Sequence, residues 1–271
     1  MTPNKTLRKT FTLLMAMVVL LAASCKKDKN NLPDNGGGSG AQLIKIETGA
    51  NEFSTLEYDA AGKLIKIVEN EDGESIVNTI TYNGSKVTEV NTPESKMTYT
   101  YNGNNVSKID ILTSTGGEEA SGKVEYTYEN NKVKQSVMSF LVPSEEEGED
   151  PILTPYIRSS YEYYANGDIK KLTVELWAVN KWQVSESTVY EYDTKNNPLA
   201  AAGSVFMAIA PLQSLHNITK ETVSKPDGSL KETVNYEYTY NNDGYPKESK
   251  KTVTPAGGNA GAAEVTKFSY K

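Results

Sequence analysis

From residue 43 onward the chain is written in short alternating runs that end on tyrosine. Met97, Tyr99 and Tyr101 fall on one side of such a run and Lys96, Thr98 and Thr100 on the other, and Val124, Tyr126 and Tyr128 likewise oppose Glu125 and Thr127. A third run sets Val234, Tyr236, Tyr238 and Tyr240 against Thr233, Asn235, Glu237 and Thr239. A period of two predicts β-strands, because side chains two apart share one face of a sheet. One face is aromatic and the other charged or hydroxylic. A barrel that crosses a bilayer needs an apolar outer band, so the Thr, Glu and Lys face is expected to meet water and the aromatic face to look inward.

Polar turns follow the tyrosines. Four residues separate Tyr82 from Val87, Tyr101 from Val106 and Tyr128 from Val133; five separate Tyr58 from Leu64, Tyr163 from Ile169, Tyr192 from Pro198 and Tyr240 from Pro246. These loops are rich in Asn and Gly, which tolerate the positive φ of tight hairpins. After each turn, apolar residues recur three apart: Leu64 and Ile67, Val87 and Val90, Val106 and Ile109, Ile169 and Leu172. Strict alternation would put the members of each pair on opposite faces, so a bulge near the strand start, or a first residue folded over the hairpin end, is predicted. The unit opening at Val133 has Ser136 in the second place, which predicts an edge strand or a long arm.

With an opening hairpin around Thr48 to Asn51 and a closing strand through Phe268 and Tyr270, the chain reads as all-β. The expected fold is an antiparallel meander of about 14 to 16 strands, too wide to stay flat and therefore curled into a barrel or roll. Two segments interrupt the pattern. Pro143 to Thr154 carries Glu145, Glu146, Glu147, Glu149 and Asp150 in one long acidic loop. Residues 199–212, LAAAGSVFMAIAPL, lack alternation and place Val205, Ile209 and Leu212 at helical spacing. A short helical segment that closes one end of the barrel or fills part of its lumen is expected there.

The first 42 residues follow other rules. Lys5, Arg8 and Lys9 precede the apolar run Phe11 to Ala23, which ends in small residues before Cys25, the one cysteine of the chain. Residues 1–24 have the layout of a secretory signal peptide. Leu21-Ala22-Ala23-Ser24-Cys25 resembles a bacterial lipobox, and that resemblance implies acylation of Cys25 and attachment to a membrane through lipid. Residues 25–42 include Gly36-Gly37-Gly38-Ser39-Gly40 and read as a flexible tether, leaving 43–271 as a single repeat-built β domain. Lys26 directly after the cysteine favours the outer membrane by family resemblance, with the periplasmic or cell-surface side open.

Composition narrows the function classes. The chain has 271 residues, and beyond the first 24 it carries 25 bases against 35 acids, which disfavours nucleic acid as a partner. One Cys and one His leave no His or Cys zinc site, no free thiol nucleophile, and no triad independent of His216. His216 is expected to be a surface or hydrogen-bonded residue, and no cofactor is expected. Glu145, Glu147, Glu149 and Asp150 are hard oxygen ligands that suit Ca²⁺, although a solvated hairpin tip is the favoured reading. Trp177 and Trp182 flank a turn, where paired rings either stack on a sugar or anchor a protein, or else pack on each other across one hairpin.

Tyr58-Asp59-Ala60-Ala61-Gly62-Lys63-Leu64 resembles one YD repeat of the Rhs and teneurin shells. The whole chain, from Cys25 through the Tyr-ended hairpins, resembles a family of uncharacterised Bacteroidota lipoproteins with a porin-like β fold. That resemblance implies a fold and an address without an active site. The leading expectation is a non-enzymatic, lipid-anchored outer-membrane scaffold that binds a glycan or protein partner. A carrier or sensor of an amphipathic ligand in a Tyr-lined lumen, and a glycan hydrolase working through two carboxylates, are the alternatives.

Overall fold

The computed structural model describes residues 42–271 except 116–117, 145–149, 200–204 and 206–213. The strands in chain order are β1 Leu43–Glu47, β2 Phe53–Tyr58, β3 Leu64–Glu71, β4 Glu74–Asn83, β5 Lys86–Asn91, β6 Ser95–Asn102, β7 Asn105–Thr115 and β8 Glu118–Glu129. They continue as β9 Lys132–Val142, β10 Ile152–Tyr163, β11 Ile169–Ala178, β12 Lys181–Asn196, β13 His216–Ser224, β14 Leu230–Tyr240, β15 Pro246–Pro255 and β16 Glu264–Tyr270. Each pairs antiparallel with its sequence neighbours, and β1 pairs with β16, so the sixteen strands close into a barrel. Closure removes the unpaired edges of so wide a sheet.

Every hairpin is entered at its tyrosine end through the same irregularity. Tyr58 pairs with Leu64 but Glu57 pairs with Lys66, which leaves Ile65 as an extra residue. The same shift falls at Tyr82, Tyr101, Tyr128, Tyr163, Tyr192 and Tyr240, and where Leu43 meets Tyr270. This bulge is why apolar residues three apart share the inner face: Leu64 and Ile67, Val87 and Val90, and Val106 and Ile109 are all buried. Ser136 does not mark an edge or an arm, because β9 is paired along its length with both β8 and β10. Its hydroxyl instead faces the Tyr161 phenol inside the barrel at 3.4 Å.

The final tyrosines then stitch one hairpin to the preceding one. The hydroxyls of Tyr58, Tyr82, Tyr128, Tyr163, Tyr192 and Tyr270 donate to the backbone carbonyls of Leu43, Leu64, Val106, Val133, Ile169 and Pro246 at 2.7 to 2.8 Å. Each acceptor is the first or second residue of the neighbouring odd-numbered strand. A ring of phenols therefore lines this end, each donating to a backbone carbonyl at the start of a strand. A hydrogen bond of this kind adds about 1 kcal/mol net, on top of the burial of the ring.

Inside, residues of β1–β9 form one apolar cluster that includes Leu56, Ile80, Met97, Tyr99, Ile109 and Val124. Leu199 and Val205 belong to it, and the Tyr99 hydroxyl donates to the Val205 carbonyl at 2.7 Å. Of the helical segment expected over 199–212, these two residues stand in turns, and the rest lies outside the described residues. Among the described residues there is no helix. The turn expected between Tyr192 and Pro198 is also different: β12 runs past the tyrosine to Asn196, and β13 opens only at His216. Residues 197–215 are thus an insertion in one hairpin end.

Outside, the wall is charged. Lys66 pairs with Glu57, Lys96 with Glu89, Lys108 with Asp110, Lys123 with Glu125 and Lys220 with Glu191, all at 2.6 to 2.8 Å. Exposed pairs of this sort contribute little stability. Their importance is that the outer face carries ions where a bilayer-spanning barrel carries an apolar band.

Candidate functional site

Away from the tyrosine ring, the β11–β12 hairpin builds a cluster on the outer face. Its two-residue turn is Val179-Asn180, with φ of 51° and 57°, the left-handed pair that a tight hairpin with right-twisted strands requires. Asn accepts that conformation readily, whereas a β-branched residue is strained in it. Val179 is nonetheless there and is 88% exposed. Directly below the turn, Trp177 and Trp182 are cross-strand partners. Their rings meet edge to face with centroids 5.1 Å apart at 69°, the geometry that the aromatic quadrupole favours.

Arg158 on β10 completes the cluster. It stands opposite Glu175 in the ladder, and its Nε and Nη2 donate to the two carboxylate oxygens at 2.5 and 2.6 Å. This two-pronged ion pair fixes the guanidinium plane, and Glu175 raises the arginine pKa further. The guanidinium carbon lies 4.8 Å from the centre of a Trp182 ring, a cation–π contact. Val184, two residues beyond Trp182 on the same face, and Val179 at the turn are exposed, so the tip sets apolar side chains beside an ion-paired arginine. Contiguous exposed apolar surface on a water-facing protein is a common mark of an interaction site.

Comparison with solved structures gives the fold a precedent. A porin-like protein from Bacteroides uniformis aligns at 13% identity over 85% of this chain and 98% of its own, with a TM-score of 0.53. One from Bacteroides vulgatus aligns at 13% identity over 86% and 99%, again at 0.53. The chain shares their fold. A DUF3836 family protein from Parabacteroides distasonis is also similar over 49% of this chain, but its TM-score of 0.24 carries no argument. No family model and no curated protein matches the chain.

The remaining sequence candidates separate. Asp150 is exposed just before β10, while Glu145, Glu147 and Glu149 lie outside the described residues, as does Cys25. Among the described residues, no group of three or more His, Cys, Asp or Glu side chains is placed to hold a metal ion.

His216 has a fixed partner that its sequence neighbours did not suggest. Its Nδ1 lies 2.8 Å from Oδ2 of Asp168, a carboxylate with no exposure. The same oxygen accepts from Asn166 Nδ2 at 2.6 Å, and Oδ1 accepts the Leu215 backbone N–H. Ser214 donates to the Tyr192 hydroxyl at 2.7 Å and accepts from the Ile169 N–H at 3.2 Å. Ser214 Oγ is thus engaged with Tyr192 and Ile169, and this Asp, His and Ser grouping is a clamp on the insertion.

The inward tyrosines are shaped by burial. Desolvation raises the phenols of Tyr99, Tyr126 and Tyr190 far above their ordinary value and pushes Tyr161 up to about 12. They are neutral hydrogen-bonding groups rather than bases. Sequence reasoning placed them inside but did not find Arg158, whose role depends on β10 lying beside β11. Nor did it find Glu69 and Asn78, polar residues on the inner face of the apolar wall.

Proposed function

We propose that the protein is a non-enzymatic, lipid-anchored binding barrel of the outer membrane, whose β11–β12 tip holds a glycan or protein partner. One observation carries the reading: two tryptophans and an ion-paired arginine are locked together on an exposed, strained hairpin tip. Rigid aromatic groups lose little conformational freedom on binding, and Trp with Arg dominates the energetics of many interfaces. The charged outer wall favours attachment by lipid on Cys25 over insertion of the strands. The porin-like resemblance in fold supports an outer-membrane address for this reading.

The test uses the full chain in its own cell envelope. Cys25→Ala moves the protein from the detergent-extracted membrane fraction to the soluble fraction, and unchanged partition sinks the anchor. Trp177→Ala combined with Trp182→Ala abolishes retention on surface glycan or extracted envelope protein while the β-sheet circular dichroism stays intact. Undiminished retention by folded double variant overturns the binding tip.

A further inference from the structure

The inner wall of β2–β4 is apolar near the tyrosine ring, where Leu56, Ile67 and Ile80 are buried. Towards the opposite mouth it changes character. Glu69, two residues beyond Ile67, faces inward opposite buried Ser54, and Asn78 is the ladder partner of Ile67. Exposure rises along β3 from buried Ile67 through half-buried Glu69 to exposed Glu71. A solute entering by that mouth passes Glu71 and then reaches Glu69, with Asn78 behind it.

The two side chains are joined but not satisfied. Asn78 Nδ2 donates to Glu69 Oε1 at 2.8 Å. Asn78 itself is 2% exposed, and its Oδ1 is buried without a hydrogen-bond partner. An orphaned acceptor of this kind costs about 1 to 3 kcal/mol. Burial lifts the Glu69 carboxyl above the ordinary carboxylate range, the Asn78 bond offsets part of this, and the nearby Glu71 charge raises it further. Asn78 Oδ1 lacks a donor, and no cationic side chain among the described residues offsets the burial of the Glu69 carboxyl.

The chemistry of the missing partner follows. A hydroxyl would serve Asn78 and leave the charge of Glu69 uncompensated. A hard metal ion takes six or more oxygen ligands, and among the described residues there is no metal-binding group of three acids here. An alkylammonium brings three N–H donors and one charge on a group small enough to sit between two side chains. We propose that Glu69 and Asn78 form an inner-wall binding point for the primary ammonium group of a small organic cation entering through the mouth opposite the tyrosine ring.

The experiment is a titration of the labelled protein with n-butylammonium chloride, followed by NMR through the Asn78 side-chain amide, with n-butanol as the neutral isostere. The expected result is a saturable shift with n-butylammonium and none with n-butanol. Glu69→Gln, which keeps the shape and removes the charge, should weaken binding about tenfold or more, a loss of about 1.4 kcal/mol. Asn78→Leu should abolish the response of the Glu69 side chain while leaving the β-sheet circular dichroism unchanged. Three results overturn the proposal: no saturable shift, so that water alone serves the Asn78 oxygen; equal shifts with alcohol and amine; or undiminished binding by folded Glu69→Gln.

Discussion

The tyrosine end of the barrel contains two kinds of connection, and they use one position in opposite ways. In three of the regular hairpin ends, the residue before the first apolar position is a lysine: Lys63, Lys86 and Lys132 precede Leu64, Val87 and Val133, while Asn105 and Tyr245 hold that place before Val106 and Pro246. Their ammonium groups lie 5.5, 5.1 and 5.2 Å from the ring centres of Tyr82, Tyr101 and Tyr163, each in the following hairpin. Lys63 and Lys86 also donate to the carbonyls of Gly84 and Gly103, at 2.7 and 2.6 Å. In the hairpin that precedes the insertion, the same place before Ile169 is Asp168, and the following tyrosine is Tyr192. The acid cannot lie over a ring as a cation does. It gathers N–H donors from residues 215 and 216 instead, and so fixes the returning end of the insertion.

The disturbance spreads to the next unit. Asp193, one residue past Tyr192, accepts from the Asn217 N–H at 3.1 Å and from the Tyr240 hydroxyl. Tyr240 is thereby drawn away from the pattern of the ring, and Tyr238 takes over the donation to the Ile218 carbonyl at 2.8 Å. A repeat of this type accommodates an inserted segment by changing the sign of one charge and shifting one tyrosine by two places. The ladder itself is kept.

The largest effect expected is one that breaks both kinds of end together. Unfolded phenols ionise at about pH 10, whereas burial pushes Tyr58, Tyr101 and Tyr161 up to about 12 in the fold and raises Tyr192 of the interrupted end as well. A raised acid pKa means that the folded state holds protons the unfolded state has lost. Stability from these groups is therefore complete below about pH 10 and falls as pH rises towards 12. Phenolate absorbance and β-sheet circular dichroism should change together in that range. Phenolate formation with the sheet intact would show that the ring is open to solvent.

Next comes Asp168→Ala, which strands the Leu215 N–H, the Asn166 amide and His216 at once. A loss of about 3 kcal/mol in denaturant unfolding is expected, since hydrogen bonds to a charged group contribute about 1.5 to 3 kcal/mol each and the exposed Asn166 amide can turn to water. A loss below 1 kcal/mol would mean that the insertion is held by its apolar residues alone.

Within the regular ends, the phenol bonds are separable from the rings. Tyr128→Phe removes the bond to the Val106 carbonyl and should cost about 1 kcal/mol. Tyr101 is the control, because its buried hydroxyl has no hydrogen-bond partner. Tyr101→Phe should be nearly neutral in the same melting experiment.

Much of the regular end was legible in the sequence. Tyrosine at the close of a strand and apolar residues three apart after the turn imply a bulge through simple alternation, and every hairpin end has one. The interrupted end departs from expectation because Asp193 to Asn197 has the composition of another five-residue turn. There the Asn196 N–H pairs with the Gly244 carbonyl at 3.1 Å, on a turn 48 positions away, and the Asn196 side chain donates to the Asp243 carbonyl at 3.1 Å. Contacts between distant segments also decide the candidate sites. Trp177 and Trp182 were visible as neighbours, while Arg158 and the Asp168 partner of His216 depend on which strands lie side by side.

The smallest expected effect tests the lysine position directly. Lys132→Met keeps the length and apolar stem of the side chain and removes its charge from above Tyr163. Exposed cation–π contacts contribute about 0.5 to 1 kcal/mol, and the retained stem preserves part of the packing, so a loss of about 0.5 kcal/mol is expected. Because attraction to a ring quadrupole at the surface is partly electrostatic, high salt should shrink the difference between Lys132→Met and the parent. Asp168→Ala should keep its full deficit under the same salt, since its bonds are buried and short-ranged. Equal salt sensitivity of the two variants would mean that position 168 acts by surface charge rather than by gathering N–H groups, and the contrast between the two kinds of hairpin end would collapse.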